Sequence, residues 1–158
     1  MVAVVLVGHG SRLPYNREVV EKIAEYVEEM GDFETVEVGF MEFSKPSIPE
    51  AVRRAAESGA DKIVVVPVFL AHGVHTKRDI PRMLGLEPDW EEDEGGDEGH
   101  HHDHGHDHDH DHDHHGHDHR DHEPVEVDAE IIYTEPIGAD RRIAEIILDR
   151  IEEALKEE

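Results

Sequence analysis

The chain has 158 residues, a formal net charge of −25 and no cysteine. This length is typical of one domain with a sizeable core, and the missing cysteines exclude a disulfide framework and any thiolate metal site. Because so acidic a protein repels phosphates, nucleic acid is disfavoured as a partner. No apolar stretch is long enough to span a membrane, and no basic segment precedes the first apolar run, as one would in a signal peptide. These absences favour the cytoplasm and no membrane partner.

The first element is a run of six apolar residues at positions 2–7, four of them valine. A β-branched run without polar alternation is typical of a strand buried on both faces, at the centre of a parallel sheet. The run ends at Gly8-His9-Gly10, where two glycines allow a sharp turn close to a ligand. His9 is therefore predicted at the carboxyl end of a central strand, where open α/β sheets bind their ligands.

Helix and strand patterns alternate along the rest of the chain. Helices are predicted at 14–31, behind the capping box Ser47-Ile48-Pro49-Glu50, at 79–84 and after Asp140, and strands at 35–41, 62–70 and 126–133. This alternation predicts an α/β fold, a three-layer sandwich with a four-stranded, mostly parallel sheet. The final helix should bury one apolar stripe, formed by Ile143, Ile147, Ile151, Ala154 and Leu155.

Residues 90–123 interrupt this alternation with a tract of Asp, Glu, Gly and His that has no apolar face and holds 13 of the 16 histidines. Such a composition cannot bury enough surface to offset the entropy of ordering. We therefore predict a single domain over residues 1–158, interrupted at 90–123 by a disordered insertion. Its imidazoles and carboxylates suit a metal reservoir or a metal buffer, and a repeat expansion without a role is the remaining interpretation.

Histidines also follow the second strongly apolar run, in a loop that contains His72 and His75. Neighbouring parallel strands lie about 5 Å apart, so His9 can meet either of these two residues at the same edge of the sheet. Imidazole ligands suit cobalt, nickel, iron and zinc. Two histidines make an open, weak site, which suits a protein that hands its metal on. The chain has no phosphate-binding glycine loop, so a nucleotide is not indicated.

Five segments together resemble one family. They are residues 7–12, Met41-Glu42-Phe43, Phe69-Leu70-Ala71-His72-Gly73-Val74-His75, residues 76–81 and Glu135-Pro136-Ile137-Gly138-Ala139-Asp140. These segments resemble the short, single-domain, CbiX-like class II chelatases of archaea, which are sirohydrochlorin cobaltochelatases and nickelchelatases. The resemblance covers nearly all of the chain outside the insertion, and it implies a chelatase-like sandwich.

The resemblance also implies a function. The expected reaction is insertion of Co²⁺, for cobalamin, or of Ni²⁺, for the nickel tetrapyrrole of methanogenesis, into sirohydrochlorin by a homodimeric lyase without a tightly bound cofactor. By the same resemblance, His9 and His75 are the metal ligands and His9 is also the proton acceptor. The expected contacts to the macrocycle are Lys45, Leu70, Ala71, His72, Gly73, Val74 and His75.

Two other functions fit parts of the sequence. In the first, the chain is a nickel or cobalt storage or buffer protein that uses the histidine tract, although this leaves His9 and His75 without a purpose. In the second, the chain is a histidine phosphatase, whose N-terminal histidine follows an arginine. Gly8 occupies that position here, so this alternative is disfavoured.

Overall fold

The structure is a computed structural model, and it describes residues 1–88 and 124–157. Its elements are β1 (Val2–Gly8), α1 (Tyr15–Met30), β2 (Val36–Phe40), α2 (Ile48–Glu57), β3 (Lys62–Pro67), a π-helical turn (His75–Asp79), α3 (Ile80–Met83), β4 (Glu130–Tyr133) and α4 (Arg141–Lys156). The insertion predicted at 90–123 lies outside the described residues.

The four strands form one sheet in the order β2-β1-β3-β4, and every neighbouring pair is parallel. Val4 of β1 pairs with Val36 on one side and with Val64 on the other. The prediction of a four-stranded, mostly parallel sheet with β1 at its centre is therefore confirmed. From Ala3 onward, every residue of β1 is buried, as its unbroken apolar run predicts.

Helices cover both faces of the sheet and make it the middle layer of three. On one face, buried residues of α2 and α3 pack on alternate residues of β1 and β3, such as Val5 and Ile63. On the other face, Val20 and Ala24 of α1 pack on Val4 and the neighbouring strands. The capping box is confirmed, because the Ser47 hydroxyl accepts a hydrogen bond from the Glu50 amide at 3.3 Å.

Predicted boundaries differ from the structure by one residue at each end of α1 and β2, and by more in three places. β3 ends at Pro67 instead of residue 70, because proline has no N–H to continue the ladder. β4 begins at Glu130 instead of residue 126. The short helix predicted at 79–84 is preceded by the π-helical turn, which starts at His75 and places that residue directly on a helical element.

The prediction of a buried stripe on the last helix is wrong for a single chain. α4 has the predicted amphipathic pattern and its Asp140 cap, but none of its residues is buried. Ile147 and Ile151 are each about half exposed. The apolar stripe therefore exists, and no part of the same chain that the structure describes covers it.

No helix among residues 1–88 and 124–157 combines the length and the apolar character that a bilayer crossing requires.

Candidate functional site

The candidate site lies at the carboxyl edge of the sheet, where the loops after β1, β2 and β3 meet. Gly10 has φ +82°, and a Cβ on it would lie 1.8 Å from the carbonyl oxygen of Glu42. The Glu42 amide in turn donates to the carbonyl of His9 at 3.1 Å. Only glycine allows the first two loops to approach this closely with this backbone conformation. This close approach fixes the position of His9.

His9 and His75 face each other across this edge. Their ring centroids are 5.3 Å apart, with the planes inclined at 70°, and the edge of Phe69 flanks His9 at 6.3 Å. His9 Nδ1 donates to the carbonyl of Gly10 at 3.1 Å, because a carbonyl oxygen can only accept. This bond fixes the tautomer and leaves the lone pair of Nε2 available.

His75 is oriented by a carboxylate. Its Nδ1 lies 2.8 Å from Asp79 Oδ2, and Arg78 Nε donates to Asp79 Oδ1 at 2.8 Å. Partial burial by itself would raise the pKa of Asp79, but the hydrogen bonds from Arg78 and His75 hold this pKa below its usual value. Asp79 is therefore ionised at neutral pH and acts as an acceptor for both partners.

His72 has hydrogen-bond partners on both ring nitrogens. Its Nδ1 lies 3.0 Å from the Thr76 hydroxyl, and its Nε2 is hydrogen-bonded to the carboxylate of Glu135. Thr76 is buried, and its backbone carbonyl accepts from the hydroxyl of Tyr133 at 2.8 Å. In this conformation His72 connects its loop to the segment that follows β4 and has no free nitrogen for a metal.

Burial raises the pKa of Tyr133 to about 12, and the nearby charge of Glu135 adds to the shift. The Tyr133 hydroxyl therefore stays protonated and remains a donor to the Thr76 carbonyl throughout the neutral range.

A cleft of about 800 Å³ opens beside His75. His75, Asp79, Glu42 and Arg82 are among the residues that line it. Sequence reasoning gave no role to Asp79 or Glu42. The signal for Asp79 was its position four residues after His75, since residues so spaced share one face of a helix. The sequence singled out Glu42 only as a member of Met41-Glu42-Phe43, one of the segments that resemble the family.

The remaining expected contacts lie at the same edge of the sheet. Lys45 is exposed in the loop between β2 and α2, and residues 70–74 are exposed in the loop after β3. Gly73 has open space where a Cβ would be. Among the expected site residues, the structure shows a direct ring contact between His9 and His75.

Two imidazoles at this separation can share one metal ion. With metal–nitrogen bonds of about 2.0 Å and a tetrahedral angle, the two ring centres would be roughly 5 Å apart. Within the described part of the chain, no group of three or more His, Cys, Asp or Glu residues forms a complete metal site. The pair is therefore an open site that leaves coordination positions for another ligand.

The fold and the two facing imidazoles define a chelatase-like α/β protein. The comparisons with known proteins give the family: residues 3–154 match CbiX, and the chain belongs to the CbiX family. A Methanopyrus kandleri protein named sirohydrochlorin cobaltochelatase is 74% identical over 158 residues, with 100% of both chains covered. A protein of the same name from Methanocaldococcus jannaschii is 63% identical over 150 residues, which cover 95% of this chain and 97% of the relative.

Solved structures agree with this family. A CbiX protein of Marinobacter aquaeolei, described as a cobalamin biosynthesis protein, has a TM-score of 0.61 at 26% identity, with 100% of both chains covered. SirB from Bacillus subtilis with Fe³⁺ has a TM-score of 0.62 at 21% identity, covering 97% of this chain and 47% of SirB. The second likeness concerns the fold alone. The resemblance stated from the sequence motifs is confirmed at the level of the family.

Proposed function

We propose that this protein is a sirohydrochlorin cobaltochelatase, a lyase that inserts Co²⁺ into sirohydrochlorin. The observation that carries the proposal is the pair of imidazoles, His9 and His75, whose ring centroids are 5.3 Å apart at the edge of the sheet. Relatives at 74% and 63% identity bear the name of this activity. Imidazoles without thiolates bind cobalt well, and an open pair of ligands can release the ion to a macrocycle.

The residues also fit the proton balance of the reaction. Insertion of a divalent metal releases two pyrrole protons, which need acceptors that work near neutral pH. In the proposed order, Co²⁺ first binds the Nε2 atoms of His9 and His75. As the metal moves to the four pyrrole nitrogens, each imidazole that loses it regains a lone pair, and the two released protons go to the freed His9 and to water. One nitrogen thus serves as ligand and as base, but at different times.

The macrocycle is proposed to lie against the exposed loop after β3. The proposed contacts are Leu70, Ala71, His72, Gly73, Val74 and His75, together with Lys45. The open space at Gly73 supports this placement, because a flat ring can approach the backbone most closely where no side chain intervenes. Sirohydrochlorin carries many carboxylates, so the ammonium of Lys45 suits one of its peripheral groups.

Nickel is proposed as a second metal for the same site. Two imidazoles do not by themselves select cobalt from nickel, because both ions favour nitrogen ligands. The nickel product would serve the tetrapyrrole of methanogenesis, and the metal supply would then decide which product forms.

The direct test is to incubate sirohydrochlorin and metal with the full-length protein and to follow the absorbance of the metallated product. With Co²⁺ we expect a rate well above that of a reaction without protein, and a second series with Ni²⁺ tests the wider metal range. A cobalt rate equal to the uncatalysed rate would exclude the chelatase function.

The working form is proposed to be a homodimer. α4 buries none of its residues, and five large apolar residues on it are between 49% and 62% exposed. The sheet offers a second apolar surface on the side of α1. Val4, Val64 and Ile132 are neighbours across β1, β3 and β4 on this side. Their exposed fraction rises from 5% at Val4, through half-buried Val64, to 38% at Ile132. A second copy of the chain would cover these surfaces and remove apolar area from water.

Light scattering coupled to size-exclusion chromatography tests the dimer. We expect the mass of two chains for the wild type, and of one chain when Ile147 and Ile151 are both changed to Asp. A matched double change of the exposed, charged Glu152 and Glu153 on α4 to Asp should keep the dimer. A wild-type monomer at micromolar concentration would contradict the assembly.

A storage or buffer protein is the second candidate, and the 13 histidines of residues 90–123 favour it. Deletion of this segment separates the two functions. A chelatase keeps its turnover at saturating metal after the deletion, whereas a store loses nearly all of its capacity.

A further inference from the structure

The two facing imidazoles are oriented through the same ring atom but by different kinds of partner. His9 Nδ1 donates to a backbone carbonyl, that of Gly10. His75 Nδ1 lies 2.8 Å from a side-chain carboxylate, Asp79 Oδ2. Carbonyl oxygens and ionised carboxylates only accept hydrogen bonds, so each neutral ring carries its proton on Nδ1. Within the described residues, Asp79 is thus the one side chain that sets the tautomer of either ring.

Asp79 is itself held rigidly. Arg78 Nε donates to its second oxygen at 2.8 Å, and the side chain of Asp79 is 23% exposed. The π-helical turn from His75 to Asp79 is closed by the Ile80 amide, which donates to the His75 carbonyl. The carboxylate therefore has both oxygens occupied and lies on a short, hydrogen-bonded element. π-helical turns of this kind are rare and are often found at functional sites.

We propose that Asp79 is the positioning residue of His75, which holds the Nδ1–H tautomer and so leaves Nε2 unprotonated and able to bind a metal ion. Without Asp79, His75 would revert to the tautomer that free imidazole favours in water, with the proton on Nε2. A protonated Nε2 cannot bind a metal ion, so each binding event would first require a proton shift or a ring flip. The tautomer does not depend on the function, whereas the consequence for metal binding rests on the chelatase proposed above.

The test reads the tautomer directly. Long-range ¹H–¹⁵N spectra of the full-length, ¹⁵N-labelled protein distinguish the two tautomers of each neutral imidazole, and the His75 signals are assigned by their loss in His75→Ala. We expect Nδ1–H at His75 in the wild type and Nε2–H in Asp79→Ala. His9 should keep Nδ1–H in both proteins, because its partner is a backbone carbonyl, and this also reports that the loops remain folded.

Two further variants make the test sharper. Arg78→Gln removes the other partner of Asp79 and leaves the bond to His75, so it should keep Nδ1–H. Asp79→Asn preserves size, but an amide can either accept from Nδ1–H or donate to a bare Nδ1, so a mixture of tautomers is expected. This variant replaces the alanine variant should that protein fail to fold.

The consequence for the reaction is a change in metal affinity more than in turnover. Partners that orient a metal-binding histidine are worth roughly 10- to 100-fold in affinity, so Asp79→Ala should raise the KM for Co²⁺ by about that factor, while Arg78→Gln stays close to the wild type. Nδ1–H at His75 in both Asp79 variants would overturn the proposal, as would Nε2–H in the wild type. A wild type that keeps this tautomer but inserts no metal would instead reject the proposed function.

Discussion

The loops that carry His9 and His75 follow neighbouring strands, but they are held in different ways. The loop after β1 is fixed mainly by backbone contacts, with Gly10 packed against the Glu42 carbonyl and the Glu42 amide bonded to the His9 carbonyl, and the Gly10 amide also donates to Asn16 Oδ1. The loop after β3 also accepts two backbone hydrogen bonds from the segment after β4, but next to its histidines it is held by side chains. There, the Thr76 hydroxyl bonds to the backbone of Gly73 and to the ring of His72.

This difference decides what a substitution can do in each loop. Backbone contacts depend on the space that glycine leaves, so the first loop is sensitive to added atoms. Side-chain contacts depend on donors and acceptors, so the second loop is sensitive to lost polar groups. The first loop therefore fixes the position of His9 through its backbone. In the second loop, the orientation of the histidines can be changed by substituting individual side chains.

The largest expected effects are on catalysis, in His9→Ala and His75→Ala. Each removes one imidazole of the facing pair, and His9→Ala also removes the proposed proton acceptor. We expect kcat/KM for cobalt insertion to fall by at least about 10²-fold, the usual loss when an acid–base group is removed, with His9→Ala at the uncatalysed rate. Circular dichroism should show folded proteins, because both residues are partly exposed at the edge of the sheet and belong to neither core cluster.

His72→Ala is the matched control for this pair. Both ring nitrogens of His72 already have partners, Thr76 and Glu135, so its loss should disturb the loop and reduce the rate much less than His75→Ala. The opposite order, with His72→Ala inactive and His75→Ala near normal, would show that the second metal ligand is His72. A folded and active His9→Ala would exclude the mechanism.

The next largest effect is on stability and contrasts the glycines of the two loops. An alanine Cβ at position 10 would lie 1.8 Å from the Glu42 carbonyl oxygen at a φ of +82°, whereas at position 73 it meets nothing within 4 Å. Gly10→Ala should lower the free energy of unfolding by more than about 2 kcal/mol, and Gly73→Ala by less than about 0.5 kcal/mol. Urea denaturation measures both, and equal losses would refute the difference between the loops.

The contrast between the loops also explains what the sequence could predict. The position of His9 follows from an apolar run and two flanking glycines, which are signals within a few residues. The choice between His72 and His75 depends on Glu135, which is 63 residues from His72 in the chain. No spacing rule relates such distant residues, and only the resemblance to a family selected His75. The tautomer of His75 likewise depends on a π-helical turn that periodicity did not predict.

The same limit applies to the fold. Alternating patterns predicted the elements and the parallel sheet, because hydrophobic periodicity is local. The apolar stripe of α4 was also predicted from periodicity, but its burial was not, since periodicity identifies an apolar face without identifying the surface that covers it. β3 ends at Pro67, as the missing N–H of proline requires. This signal lies within the sequence of the strand itself, although the predicted strand ran on to residue 70.

The smallest expected effect is at Lys45, which lies in neither histidine loop. Its exposed side chain would contact a peripheral carboxylate of the substrate. Because this contact stays the same while the metal moves, Lys45→Ala should raise the KM for sirohydrochlorin more than it lowers kcat. An exposed pair of opposite charges is worth roughly 0.2–1 kcal/mol, which corresponds to a KM increase of up to about five-fold. Added salt should shrink the difference between variant and wild type, because it screens the pair. Lys62→Ala is the control, since this exposed lysine begins β3 at the opposite edge of the sheet and should leave KM unchanged. A fall in kcat at unchanged KM would place Lys45 at the reacting centre instead of the periphery.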